Sequence, residues 1–134
     1  MKQVLLGFAA ATLGLFSMTA TAGHHSFAAE YDRAKQITLT GTVTKVEWMN
    51  PHVYFYMDVK DDSGKVTNWA VELSNPAGLY RRGWRKEQLK IGEPSTVSGS
   101  LAKNGTARVN ASTVIVEGKR LFAGSSGDEE NQPK

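Results

Sequence analysis

Gly23-His24-His25 places two of the three histidines in the sequence side by side. If the mature chain begins at Gly23, the free amine, two intervening backbone nitrogens and the His25 imidazole can wrap Cu(II) or Ni(II) in a square plane. If it begins at His24, the amine and ring of that residue form a two-nitrogen bite, and His52 is a candidate third ligand. The segment Trp48-Met49-Asn50-Pro51-His52 offers a second kind of site. The Met49 thioether and the His52 imidazole suit Cu(I), and the face of Trp48 can sit against a cation. Copper is therefore the expected cofactor, with His24, His25, His52 and Met49 as its candidate ligands. The plainer readings are a solvated arm at 24–25, a Trp48 that plugs one end of a barrel, and a His52 that caps a turn.

A different chemistry is available on the strand that follows. Tyr54 and Tyr56 share one parity with His52, and a hairpin register places Asn68 and Glu72 beside them. With Trp48, this set could form a platform on which a sugar or another small molecule stacks, with Asn68 and Glu72 fixing its orientation. Tyrosine also favours exposed strand faces for packing reasons alone. The basic group Arg81, Arg82, Arg85 and Lys86 reads as a solvated helix end. Enzymatic chemistry has little support. There is no Cys nucleophile, no Ser-centred elbow, no phosphate-binding Gly loop and no acid pair that spacing alone brings together. A non-enzymatic binding role is expected.

The start of the chain indicates where such a protein would act. Met1-Lys2-Gln3 is a short basic start, Val4 to Phe16 is almost unbroken apolar sequence, and Ala20-Thr21-Ala22 supplies small residues before a cleavage point. This pattern predicts a secretory signal over residues 1–22, cleaved after Ala22, and a periplasmic or secreted mature protein with no transmembrane segment. Without Cys there is neither a lipid-anchoring thiol nor a disulfide, so stability must come from burial. The formal charge of +3 falls to +2 once Lys2 is removed, too mild a balance to suggest nucleic acid. The expected partner is an unidentified small ligand or another envelope protein.

The elements that would position these residues read as strands. Residues 23–36 look like a polar arm and residues 123–134 like a disordered tail, leaving 37–122 as one domain. Ile37, Leu39, Gly41 and Val43 share one parity while Val46 and Trp48 take the other, so the first strand needs a bulge or sharp coil between Val43 and Val46. His52 to Lys60 alternates, with Val53, Phe55, Met57 and Val59 on the core face. Asp61 to Lys65 is hairpin chemistry, and matching Trp69, Val71 and Leu73 to that face sets Tyr54 opposite Glu72, Tyr56 opposite Ala70 and Lys60 opposite Val66. Asn75-Pro76 starts a short helix that closes at Gly83. Two more strands, Ser95 to Ala102 and Arg108 to Val116, flank the Asn104-Gly105 turn, and Leu121-Phe122 forms a terminal piece. The predicted fold is all-β, a small five-stranded Greek-key barrel of the oligonucleotide/oligosaccharide-binding (OB) type with one short helix between its third and fourth strands.

Several of these segments also carry a family resemblance. His24-His25-Ser26-Phe27, Gly41-Thr42-Val43, Trp48-Met49-Asn50-Pro51-His52-Val53, Asn68-Trp69-Ala70-Val71-Glu72 and Arg82-Gly83-Trp84 occur in that order. Together they resemble the small exported bacterial proteins of domain of unknown function family 6152. The resemblance implies export and leaves the activity open. In that family the mature chain often begins at the first His, whereas Gly23 intervenes here and separates the two modes of N-terminal coordination.

Overall fold

In the computed structural model of the chain, the described residues are 26–124. The expected signal, His24, His25 and all but the first two residues of the expected tail lie outside them. Among the described residues the chain is all-β, with a six-stranded sheet and a short helix between the third and fourth strands.

A five-residue helix α1 (Ser26–Glu30) leads directly into β1 (Tyr31–Glu47). The first strand thus starts six residues before Ile37, and much of the segment expected to be a polar arm is regular structure. Two interactions explain this. Phe27 and Tyr31 bury together with Ala102, and residues 31–42 pair antiparallel with β4 (Pro94–Ala102), with a register shift between Asp32 and Gln36. Further along, β1 passes to a second partner, β2 (Tyr54–Lys60). The ladder shifts register between Val43 and Lys45, at the parity switch visible in the sequence. Gly41 sits at this crossover because a Cβ there would stand 2.3 Å from the Asp58 carbonyl oxygen.

The β2 strand pairs antiparallel with β3 (Val66–Glu72) in the expected register: Tyr54 opposite Glu72, Tyr56 opposite Ala70 and Lys60 opposite Val66. Val53, Phe55 and Met57 are fully buried, as are Val71 and Leu73, so the odd-numbered face is the core face. α2 (Pro76–Arg81) then crosses to β4. Its cap is Asn75, whose Oδ1 accepts from the Gly78 amide at 2.7 Å, and Gly83 leaves it at a φ of +92°. Leu79 and Trp84 are buried in the core, and the Trp84 indole donates to the Phe122 carbonyl at 2.8 Å. After a 3-10 turn at Lys86–Gln88, β4 forms a hairpin with β5 (Arg108–Val116).

The order β3-β2-β1-β4-β5 closes on itself, because β5 also pairs with β3, in parallel, through Ala70↔Arg108, Val71↔Val109 and Glu72↔Asn110. β6 (Lys119–Phe122) is a sixth strand, added outside this ring on β5. The expectation of five strands with Leu121-Phe122 as an extra terminal piece is corrected accordingly. Lys119 to Phe122 pairs in full register with residues 113–116, because the turn at Glu117-Gly118 takes positive φ at both residues, the conformation that returns a strand directly beside its neighbour. The body also extends past 122. Ala123 is buried, its amide donates to the Ser112 carbonyl, and its carbonyl accepts from the Ser74 amide.

Candidate functional site

Glu72 ends β3 on the even-numbered face, which should be the solvent face of the hairpin, yet it is only 5 % exposed. The N-terminal segment covers it. The Tyr31 hydroxyl donates to Glu72 Oε2, and His52 Nδ1 donates to Glu72 Oε1 at 2.8 Å. Tyr54 stands directly opposite Glu72 in the ladder, close enough for the carboxylate to raise its phenol pKa. A carboxylate removed from water needs such donors, since an unpaired buried charge costs several kcal/mol.

Arg108 and Asn110 lie on β5 beside Ala70 and Glu72. The Arg108 guanidinium stands 5.1 Å from the Tyr31 ring centroid and forms an ion pair with Glu30. Burial raises the Tyr31 phenol well above its usual pKa, with the hydrogen bond to Glu72 and the Glu72 charge adding to it and Arg108 opposing. Tyr54 is raised for the same reasons in the same order. Two orphan atoms complete the cluster. Asn110 is 2 % exposed and its Oδ1 has no hydrogen-bond partner, nor does the buried Nε of Arg108.

The cluster therefore brings together His52, Tyr54 and Glu72 from the set expected on sequence grounds. It adds Glu30, Tyr31, Arg108 and Asn110, which sequence reasoning missed. The available signal was the four-residue spacing of Phe27 and Tyr31, which would put both rings on one side of a helical turn.

The remaining candidates lie apart. Tyr56 donates to Glu47 Oε2 at 3.2 Å, and burial followed by that bond raises its pKa. Asn68 Nδ2 donates to Asp58 Oδ1 at 2.8 Å and to Thr44 Oγ1 at 3.1 Å. Tyr54 and Tyr56 thus belong to two different hydrogen-bond networks and do not form one open platform. Trp48 is half-buried against Tyr80, ring centroids 5.7 Å apart, and its indole nitrogen is buried without a partner. Met49 is 58 % exposed. A cavity of about 230 Å³ lies elsewhere, between Val43, Leu89, Pro94 and Val116, and contains none of these residues.

His52 is the cluster member fitted to hold a ligand. Its Nδ1 is committed to Glu72, which fixes the neutral ring as the tautomer with its lone pair on Nε2. Its side chain is one-third exposed. A metal-ligating histidine is commonly oriented by a carboxylate in this way. No cluster of three His, Cys, Asp or Glu ligands exists among the described residues, so a metal at His52 would need the Met49 thioether or donors from outside them.

Fold and site together define an all-β protein with a closed ring of strands and a buried carboxylate–histidine–tyrosine cluster at the seam where β3 meets β5. The model of a family of unknown function (DUF6152) matches residues 13–111, a span that includes every member of that cluster, and the chain belongs to this family. No curated protein matches it. Among solved structures, the chain is similar to the dimeric N-terminal domain of PriB protein from Thermoanaerobacter tencongensis, at 19% identity and a TM-score of 0.44, covering 62% of this chain and 96% of that one. No helix among the described residues is long and apolar enough to cross a membrane.

Proposed function

We propose that this is an exported, non-enzymatic copper-binding protein built on an OB-like Greek-key barrel, with His52 as the ligand supplied by the folded domain. The observation that carries the reading is the 2.8 Å bond from His52 Nδ1 to the buried Glu72 carboxylate. It presets the ring for coordination through Nε2 without spending a ligand on the task. Met49, three residues away and exposed, supplies a soft thioether for Cu(I). The Gly23-His24-His25 segment supplies nitrogen donors for Cu(II), and it immediately precedes α1 in the sequence.

The rival reading, a sugar or small molecule stacked across Tyr54 and Tyr56 and oriented by Asn68 and Glu72, is less favoured. Its two tyrosines and two polar residues are already engaged in separate networks. Titration of Cu(I) and Cu(II) into the mature protein tests the proposal when repeated with His25→Ala and His52→Ala. Loss of Cu(I) binding in His52→Ala is the expected result, and loss of Cu(II) binding in His25→Ala identifies the N-terminal wrap. Binding no tighter than to an unrelated exported barrel would reject copper, and Tyr54→Ala against a panel of glycans would then be the next measurement.

A further inference from the structure

The two oxygens of Glu72 are used by different parts of the chain. Oε1 accepts from His52, in the β1–β2 loop, and Oε2 accepts from Tyr31, where the N-terminal segment joins the sheet. At 5 % exposure Glu72 has almost no water to replace either donor. The carboxylate is therefore held by Tyr31 at one oxygen while the His52 ring is oriented by the other.

Tyr31 is itself held firmly. It is 2 % exposed, its ring lies 5.5 Å from that of Phe27, and the Arg108 guanidinium covers it. The neighbouring backbone is clasped by the β4–β5 hairpin. The Lys103 amide donates to the Glu30 carbonyl at 2.8 Å, the Lys103 ammonium donates to the Ala28 carbonyl, and Glu30 pairs with Arg108. A phenol placed this rigidly can position the group it bonds.

We infer that Tyr31 is a positioning residue for the copper site, and that closure of the segment 27–31 onto the barrel and metal binding at His52 stabilise each other through Glu72. The inference rests on the copper reading for its metal half. The physical basis is preorganisation. With Tyr31 bonded, the carboxylate has one orientation and the His52 ring one tautomer, so binding does not have to select them. With Tyr31 released, Glu72 Oε2 is left without its donor, the carboxylate turns to find another, and the ring loses its fixed partner. Linkage is reciprocal: whatever factor closure of the segment adds to metal affinity, the metal adds to closure.

The experiment uses the mature full chain and Cu(I) buffered by a chromophoric chelator. Relative to wild type, Tyr31→Phe should weaken Cu(I) binding by about three- to tenfold, less than the 10–100-fold typical of a directly bonded outer partner because one further contact intervenes. Cu(I) should slow hydrogen exchange at the Lys103 amide in wild type and do so less in Tyr31→Phe. Without metal, ¹⁵N shifts of the His52 ring should report a single Nδ1–H tautomer in wild type and a mixture in Tyr31→Phe, a readout that a purely structural role of Tyr31 would not move.

Glu30→Gln leaves every hydroxyl in place and removes only the charge paired with Arg108. It is the milder variant, expected to move each quantity in the same direction by a smaller factor. If His52→Ala abolishes Cu(I) binding while Tyr31→Phe leaves both affinity and tautomer unchanged, the inference is overturned and the copper reading stands. If wild type binds no Cu(I), the copper reading and the linkage both fail. The tautomer measurement then decides alone whether Tyr31 positions His52, and an unchanged single tautomer would reject that as well.

Discussion

Tyr31 and Glu72 are 41 residues apart in sequence and joined by a buried hydrogen bond from phenol to carboxylate. This bond ties the N-terminal segment to the strand that closes the ring, so its loss should be felt by the whole fold. A hydrogen bond to a charged, buried acceptor contributes about 1.5–3 kcal/mol, and Phe keeps the ring packed while removing the donor. Tyr31→Phe should therefore lower the unfolding free energy by that amount, read as a lower urea midpoint with the slope unchanged. A loss under about 0.5 kcal/mol, the ordinary range for surface changes, would mean that Glu72 is solvated and not buried.

The same cluster makes stability sensitive to alkali. Burial first, and then the hydrogen bond to Glu72, raise the pKa of both Tyr31 and Tyr54 above the value an unfolded phenol shows, about 10. The folded state thus keeps these two protons after the unfolded state has lost them. The resulting stability is complete below about pH 10 and declines as pH rises beyond it, because the unfolded chain gains from ionisation while the folded chain does not. Absorbance at 295 nm should show Tyr31 and Tyr54, two of the four tyrosines, ionising later than a free phenol. A denaturation midpoint that stays level from pH 9 to about pH 12 would contradict the raised pKa of these phenols.

The core makes a separate prediction about parity. Phe55 is fully buried whereas Tyr56, the next residue, is half-buried on the opposite face. Phe55→Ala should cost about 3–5 kcal/mol through lost burial and the cavity left behind. Tyr56→Ala removes a bond to Glu47 and partial packing, and should cost well under half as much. Equal losses at both positions, measured by chemical denaturation, would reject the assignment of the two faces.

Gly99 allows a close approach between strands. A Cβ at this position would stand 2.0 Å from the Asn110 carbonyl oxygen, at the point where the β4–β5 ladder shifts register. Backbone on a central strand cannot move aside as a side-chain tip can. Gly99→Ala should destabilise by about 1–3 kcal/mol, the range for forced overpacking, and the same change at exposed Gly64 should act through its positive φ alone. Because Asn110 is the ladder partner of Glu72, chemical shifts of the β3–β5 seam should move in Gly99→Ala and stay fixed in the Gly64 variant.

How much of this was legible in the sequence follows from the range of each signal. Alternation along His52 to Lys60 and Val66 to Leu73 carries both faces and the register of the hairpin, because an odd-for-even slip would expose Phe55 and Met57. The bulge after Val43 was legible as a parity switch, and the helix at Asn75-Pro76 through its cap. The N-terminal segment was not. Residues 28–36 are mostly polar or small, so no local periodicity marks them, and they are held by contacts with Ala102, Lys103 and Arg108 that no short window contains. The candidate site divides in the same way. Tyr54 facing Glu72 is a consequence of register, while Tyr31 reaches Glu72, and Arg108 the Tyr31 ring, only once the distant strands are assembled.

Proton dependence separates the two proposed modes of copper binding. Wrapping Cu(II) with the Gly23 amine, two backbone nitrogens and His25 requires a neutral amine, a neutral imidazole and displaced amide protons. A free imidazole titrates at about 6.5 and an α-amine at about 7.7–8.0, so protons compete with the metal throughout the neutral range. Cu(II) affinity should therefore fall steeply from neutral to mildly acidic pH, with several protons released for each ion bound. Cu(I) at Met49 and His52 should respond less, because a thioether has no competing proton. One extra residue ahead of Gly23 moves the amine out of reach and should weaken the Cu(II) mode sharply while leaving Cu(I) binding unchanged. Intact mass of the protein recovered from the cell envelope fixes the native start, expected at Gly23 or His24, and a mass that still includes Lys2 would reject export with cleavage. Unchanged Cu(II) affinity in the extended protein would reject the N-terminal wrap, and the test of copper would then rest on His52 alone.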